Sequence, residues 1–593
     1  MSVSSSIYER TYSTSLVFLS HVKIYDYKTK PTDTVLQQLS DDDMGRNQER
    51  GLYDAMVDHF TYSEFSQKDF LPQDDFESLI TEHTIKEELD KAAFGEYDSS
   101  LVKYITKHAR KTFATLVYGD AVRKAINLER FEFGDRYLPI ALEGPRLISL
   151  NGFARDSSAW KWFNKWRTQE KHFFCKEQWV FLPQIFRNDS TMENLHRDCR
   201  LPFIACESQG EGGSFSLLHK ATIHRAHQTG NLVIAIKELR NKEAGADQSE
   251  LDALDLARQL KHPHIVRFVG GFRQNFTSHL LFQWADGGNL RSYWNNEENW
   301  SRDADLISWT IEQIQGLVAA LDQWHNNPSR LALNGRHGDL KPENILRSSG
   351  SHRGIFQIAD LGLAKIHSLP THARNKPSAS PGGTLRYRPP EVGRKISRSY
   401  DMWGMGCIIL EWIIWLVYGI HELDEFCQQA FPEEFDAFWL RDSESRATNP
   451  VVASWMKHMT DTCLADGDQC YSAALRKLLI FVRDRLLVPD STEQDTSDSY
   501  HPSADNEEVP IYITPAPDVR HNSPISGRAK GKDACRELER ISSTTHGIPY
   551  YMYNPMVNMS GPNGRGPAMP SKLLMPLSTS NFRLEVNGPP GNR

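Results

Sequence analysis

Little in this chain points toward an oxidising compartment, a membrane or a nucleic acid. Cysteine is sparse, eight in 593 residues, and none stands in a C-x-x-C pair, so neither a disulfide framework nor a zinc site is expected. Long apolar runs are missing. The first twenty residues place Glu9 and Arg10 ahead of only Leu16-Val17-Phe18-Leu19, too short for the apolar core of a signal peptide. The longest apolar stretch, Cys407 to Ile420, is interrupted by Glu411 and falls short of a bilayer span. Basic charge is not in excess either: the net charge is −8, which argues against direct nucleic-acid or anionic-membrane binding. The expectation is a reduced protein of the cytoplasm or nucleus. An apolar fraction of 39% and a charged fraction of 24% are ordinary for a globular chain, and the length calls for roughly two to four domains.

What is present centres on His337-Gly338-Asp339-Leu340-Lys341-Pro342-Glu343-Asn344, with Asp360-Leu361-Gly362 following sixteen residues after Asn344. These two stretches resemble the catalytic and metal-binding loops of eukaryotic protein kinases. The resemblance implies phosphoryl transfer, which asks for an aligned hydroxyl and for neutralised phosphate charge. In it Asp339 would accept the hydroxyl proton, and Lys341 would meet the γ-phosphate. Asn344 and Asp360 would supply one neutral and one charged oxygen, which suits a hard Mg²⁺ ion shared with substrate phosphates.

The resemblance continues upstream in the same order. Gly210-Glu211-Gly212-Gly213-Ser214-Phe215-Ser216-Leu217-Leu218 stands where a glycine-rich phosphate lid would be. It departs from the family pattern by one inserted glycine, by Ser216 at the usual third glycine, and by Leu218 for the valine over adenine. Asn231 to Lys237 reads as an apolar strand closed by a lysine, which in this setting is expected to pair with the α- and β-phosphates. Glu250 is the expected carboxylate partner of Lys237, with Asp252 as the alternative. Phe282, Gln283 and Ala285 look like gatekeeper and hinge, the last two meeting the adenine edge through their backbones.

Downstream, Gly383-Thr384-Leu385-Arg386-Tyr387-Arg388-Pro389-Pro390-Glu391 resembles the end of an activation segment. Thr384 together with Lys341 resembles serine/threonine rather than tyrosine kinases. Asp401 opens a stretch like the buried central helix of the large lobe, where the family's aspartate braces the catalytic loop. Gly338 replaces the arginine that ordinarily anchors an activation-loop phosphate, so activity is not expected to hinge on phosphate at Thr371, Ser378, Ser380 or Thr384. Pro489 to Asp518 holds eight acidic residues and no Lys or Arg, a composition too polar to order itself. Beyond it Arg528 resembles the arginine that pairs with the P-P-E glutamate, here Glu391.

The fold class expected is α+β: a two-lobed kinase domain at 203–541, with a small antiparallel-sheet lobe, a large helical lobe and an acidic insert at 489–519. An irregular segment (1–72), a mostly helical domain (75–195) and a disordered tail (542–593) complete the chain. In the helical domain Leu101, Ile105, Ala109, Phe113, Leu116 and Val117 recur at helical spacing, and a second helix is expected over 121–135. The aromatic run from Trp160 to Phe181 is read as packing against a neighbouring domain. This preamble resembles that of kinase-like proteins of filamentous fungi. Together the resemblance implies transfer of the γ-phosphate of Mg-ATP to serine or threonine of a protein substrate, with a regulatory partner reached through the N-terminal domain. The alternatives are a pseudokinase scaffold that binds nucleotide without turnover and a small-molecule phosphotransferase.

Overall fold

The computed structural model describes residues 51–93, 97–152, 158–186, 192–211, 216–228, 230, 233–239, 261–296, 303–326, 336–350, 353–360, 384–391, 398–433, 436–440, 447–462, 472–489, 527–543 and 548–551. Gly212, Gly213, Glu250, Asp252, Leu361, the acidic insert from 490 onward and the N-terminal fifty residues lie outside them.

The N-terminal domain starts earlier than the sequence suggests. A helix at Leu52–Asp58 and a hairpin of β1 (Thr61–Ser63) and β2 (Lys68–Phe70) occupy the stretch read as irregular, because Leu52, Met56 and Leu71 carry enough apolar surface to join the domain core. Helices Gln73–Leu79, Glu82–Ala93, Ser99–His108 and Arg110–Tyr118 follow. Asp98 caps the third of these, its side chain accepting from Ser100 N at 3.2 Å. Ala109 breaks the line between the last two, and the second is capped from a distance: Asp135 accepts from Lys111 N and Thr112 N at 2.9 and 2.8 Å. The helix expected over 121–135 is instead a 3-10 stretch, Val122–Asn127, and one turn of α-helix, Leu128–Phe131, ended by Glu132 at φ +54°. A hairpin of β3 (Ile140–Glu143) and β4 (Arg146–Ser149) and the helix Thr168–Glu177 complete the domain. The aromatic run packs within this domain rather than against another: Trp162, Phe163, Trp166, Phe174 and Phe181 share one core with Phe113 and Phe133.

The small lobe is a six-stranded sheet in the order β5-β9-β10-β8-β7-β6. Its strands are β5 (Met192–Asn194), β6 (Phe203–Glu211), β7 (Ser216–Ile223), β8 (Val233–Leu239), β9 (Phe268–Gln274) and β10 (Thr277–Gln283). All pairs are antiparallel except β5 with β9, which is parallel. The sheet is thus not purely antiparallel, and β5 takes residues 192–194 out of the N-terminal domain and into this lobe. At the opposite edge the β1–β2 hairpin docks on β6: Glu64 N donates to Phe203 O at 3.0 Å, and Cys206 N donates to Glu64 Oε2 at 2.7 Å. Phe65 sits edge-on to Phe203, His219, Phe272 and His279.

The large lobe is built around the helix Ser399–Val417, every residue of which is buried. It is long and apolar enough to cross a bilayer by composition, but it is enclosed as a core helix. The helix Ala304–His325 packs beside it through Ile311, Ile314, Leu317, Leu321 and Trp324, capped by Asp303 accepting from Leu306 N at 2.7 Å. Helices Leu290–Asn295, Ile420–Ala430, Pro450–Asp461, Ala473–Phe481 and Gly531–Ser542 and the hairpin of β11 (Ile345–Ser348) and β12 (Ile355–Ile358) fill out the lobe. The tail read as disordered from 542 contributes one more turn, Ile548–Tyr551. It is retained because Tyr551 is buried in the lobe's core and Ser472 Oγ donates to Tyr550 O at 3.5 Å.

Candidate active site

Asp401 organises the site from below. Its carboxylate accepts from His337 N at 2.8 Å, Gly338 N at 2.9 Å and His325 Nε2 at 2.8 Å. Burial alone would raise its pKa, but the hydrogen bond from His325, the nearby imidazoles and the Gly338 N–H bond outweigh it, and the group is held below the ordinary value. A buried carboxylate with three donors is a rigid fixture. Gly338, at φ +86°, lets the chain turn over it in a conformation that favours glycine. His337 then links the two loops. Its Nε2 donates to Ala359 O at 2.9 Å while Nδ1 accepts from Asp339 N at 3.2 Å, which places the ring proton on Nε2.

Asp339 emerges beside this brace with partners the sequence did not reveal. Thr384 N donates to its Oδ1 at 2.7 Å, Asn344 Nδ2 donates to Oδ2 at 3.2 Å, and Lys341 Nζ stands 3.2 Å from Oδ2. Lys341 Nζ also donates to Thr384 Oγ1 at 3.0 Å. Asp339, Lys341, Asn344 and Thr384 therefore form one connected cluster. With its amide nitrogen committed to Asp339, Asn344 has its side-chain oxygen left for a cation.

Across the cleft, Lys237 Nζ meets Asp360 Oδ1 at 2.8 Å, joining residues 123 positions apart. Asp360 has φ +60°, an uncommon conformation for a residue with a side chain and one held only where the surroundings impose it. Leu218 is the direct cross-strand partner of Lys237 in the β7–β8 register, so both side chains point to one face of the sheet. Gly210 lies at the end of β6 with φ +89° and open space around it, suiting a backbone that approaches a ligand. Gln283 closes β10, its N–H donating to Arg267 O at 2.9 Å. Ala285 follows in a connection tied to the large lobe: Asp286 accepts from Ser349 N at 2.8 Å, and Gly287 N donates to Arg347 O at 2.9 Å. The Ser349 hydrogen bonds hold the Asp286 carboxyl below its ordinary pKa. Lys220 Nζ lies 5.4 Å from the ring centre of Trp284. Of the expected site residues, Gly212, Gly213 and Glu250 are outside the described region; Asp339, Lys341 and Asn344 are brought together, Lys237 meets Asp360 and pairs with Leu218, and Gly210, Gln283 and Ala285 stand at the ends of β6 and β10.

Two features escaped sequence reasoning. His325, four residues after Leu321 on the buried stripe of its helix, is a polar residue on an apolar face, and that spacing was a signal that it must have a partner. Arg291 had no such signal. It donates to Glu411 at 3.1 Å and to Tyr387 OH at 2.8 Å, and reaches Glu343 at 3.3 Å, so it ties the central helix to the segment ending at Glu391 and to the catalytic loop. Burial raises the Glu411 carboxyl despite Arg291, while Glu411, Tyr387 and Glu343 push the Arg291 guanidinium up against its own desolvation.

Residues 210–469 match the family described as the protein kinase domain. The chain carries a protein kinase domain. The match opens at Gly210 and contains both loops, the hinge and the central helix, leaving the N-terminal domain and the helices after 469 outside it. Among similar proteins is cyclin-dependent kinase 17 of Caenorhabditis elegans, 30% identical over 198 residues. That alignment covers 32% of this chain and 27% of the relative, so this chain spans about a quarter of that protein's length. The kinase domain has the α+β form expected of it, a sheet lobe above a helical lobe.

Proposed function

We propose that the protein transfers the γ-phosphate of Mg-ATP to serine or threonine hydroxyls of a protein substrate. The observation that carries this reading is the Asp339–Lys341–Thr384 cluster together with the Lys237–Asp360 pair, in a chain with a protein kinase domain. Asp339 receives the proton of the attacking hydroxyl, and Lys341 neutralises charge on the transferred group. Lys237 holds the α- and β-phosphates, and the backbones at Gln283 and Ala285 receive adenine beneath Leu218. The donor set fits Mg²⁺. Asp360 offers a carboxylate whose side chain is 38% exposed and Asn344 an amide oxygen. No cluster of three His, Cys, Asp or Glu among the described residues forms a protein-only cage. Asp360 and Asn344 would hold Mg²⁺ as one or two protein oxygens beside substrate phosphates and water, and when bound the ion would supply charge neutralisation for the phosphates.

Thr384 Oγ1 on Lys341 supports the serine/threonine assignment, since it places a hydroxyl and an ammonium side by side where a short substrate side chain must enter. A γ-phosphate transfer assay on a peptide array with Mg²⁺ tests the reading. Transfer to serine or threonine peptides is expected. Mg²⁺-dependent nucleotide binding without any transfer would make the protein a nucleotide-binding scaffold, and transfer only to small molecules would overturn the protein-substrate class.

A further inference from the structure

The hairpin that the N-terminal domain lays against the small lobe meets the sheet around one cluster of side chains. Phe65, in the turn between β1 and β2, sets its ring edge-on to His219 and His279, with ring centres 5.9 and 5.5 Å away. Both imidazoles flank one carboxylate: Glu238 Oε2 is 3.8 Å from His219 Nε2 and 3.9 Å from His279 Nε2. His219 Nε2 is buried without a hydrogen-bond partner, and His279 is stacked on Phe272 at 4.5 Å, so packing sets where the two rings lie. Successive side chains alternate across a strand. His219 follows Leu218 on β7 and Glu238 follows Lys237 on β8, which puts the cluster under Phe65 directly behind the Leu218–Lys237 pair on the other face of the sheet.

We propose that Phe65 is a positioning residue for nucleotide binding, acting through His219, His279 and Glu238 on the strands that carry Leu218 and Lys237. The inference rests on the reading of Leu218 and Lys237 as nucleotide contacts. The family match opens at Gly210, so this ring comes from outside the kinase domain that it serves. Glu64 fixes where the ring enters: its N–H and carboxylate hold Phe203 O and Cys206 N of β6, the strand that runs on to Gly210. Close-packed side chains transmit displacement. With the ring gone, the imidazoles and Glu238 relax into the vacated space, and β7 and β8 lose the backing that keeps Leu218 and Lys237 in place. The coupling is reciprocal, since a free energy that links two sites acts in both directions: bound nucleotide must also tighten the hairpin on the sheet.

Calorimetric titration of Mg-ADP into the full-length protein compares wild type, Phe65→Ala and Met56→Ala. Met56 is buried in the N-terminal core, and its truncation lowers stability without removing a group from the sheet. The dissociation constant of Phe65→Ala is expected to rise about fivefold or more, and that of Met56→Ala to stay within about twofold of wild type. An unchanged constant in Phe65→Ala, or an equal rise in both variants, overturns the proposal. Hydrogen exchange on the wild type needs no variant to fold. Saturating Mg-ADP is expected to slow exchange over 61–70 more than over 99–118 of the same domain, and equal slowing in the two stretches overturns the proposal as well. Wild type that takes up no Mg-ADP would sink the nucleotide reading and this inference with it; wild type that binds Mg-ADP while Phe65→Ala binds equally well sinks this inference alone.

Discussion

Arg528 and Glu391, 137 positions apart in sequence, are joined by two parallel hydrogen bonds at 2.7 and 3.3 Å. The arginine side chain is fully buried and rests on Trp403, its guanidinium 4.9 Å from the ring centre. It also donates to Val488 O from Nε at 3.0 Å and from Nη2 at 2.8 Å. Arg528 thus fastens the end of the activation segment, the central helix and the last residues before the acidic insert at one point.

That point of attachment predicts how the insert and the arginine differ in consequence. Val488 and Arg528 are in contact, and Ala529 N donates to Arg485 O at 2.7 Å, so the chain leaves and returns at the same place. Loop closure depends only logarithmically on length, and the whole insert costs about 2 kcal/mol relative to a short turn. Deleting 492–518 is expected to leave the melting temperature equal or higher. Arg528→Ala removes the buried cation bonded to Glu391, Ser399 O and Val488 O and is expected to lose about 3 kcal/mol, seen as a clear drop in melting temperature with reduced activity. The reverse ordering in thermal unfolding would contradict this account.

Asp339→Asn is expected to retain nucleotide binding and to lose phosphoryl transfer by ~10²–10⁴-fold. Because the carboxylate also receives Thr384 N and faces Lys341, some loosening of the activation segment should accompany the loss. Nucleotide-induced thermal shift and a transfer assay read the two effects separately; transfer at the wild-type rate would refute the role.

Lys237→Met is expected to raise the KM for ATP and lower kcat together, because a lysine in the role proposed for it would contact phosphates in both the ground and transition states. It also removes the cation paired with Asp360. Steady-state kinetics over ATP concentration check this, and unaltered constants would mean that the nucleotide sits elsewhere.

Phe65→Ala tests the hold of the N-terminal hairpin on the small lobe. Removing a ring that meets four aromatic neighbours should cost close to the lower end of the ~3–5 kcal/mol range for such truncations. Faster proteolysis within 51–72 is the expected sign, and an unchanged cleavage pattern would mean that the Glu64 hydrogen bonds suffice.

Acid should destabilise the join between these two parts. His227 is fully buried, accepting from Gln73 N at 3.1 Å and bonding Gln184 O at 3.0 Å. Burial is the main cause lowering its pKa to about 4, as it is for His279, stacked on Phe272. Unfolded, each titrates near the ordinary 6.5. Above that pH neither state is protonated and stability is full. As pH falls from 6.5 to about 4 the unfolded chain binds protons the folded one refuses, and up to roughly 3 kcal/mol per histidine is lost. Urea denaturation at pH 7.5 and pH 5 measures the slope, which His227→Gln should flatten.

The kinase-domain motifs around Asp339, Asp360 and Lys237 and the central helix could be read from the linear sequence because the match rests on particular side chains at close spacing, and tight turns such as Gly338 need particular residues. The buried stripe of Ala304–His325 was legible for a similar reason, since helical periodicity is a local property. Other features depend on what a residue meets across the fold. The docking of Glu64 and Phe65 on β6, the addition of β5 to the sheet, and Tyr551's return to the large lobe join segments whose local pattern is weak. Burial supplied at a distance stabilises them, and propensity within the segment does not. Asp339 belongs to both sorts of feature. Its identity as a carboxylate follows from chemistry, but its bond from Thr384, 45 positions away, exists only because the Asp401 brace and the Arg528–Glu391 clasp bring two distant stretches of chain into register.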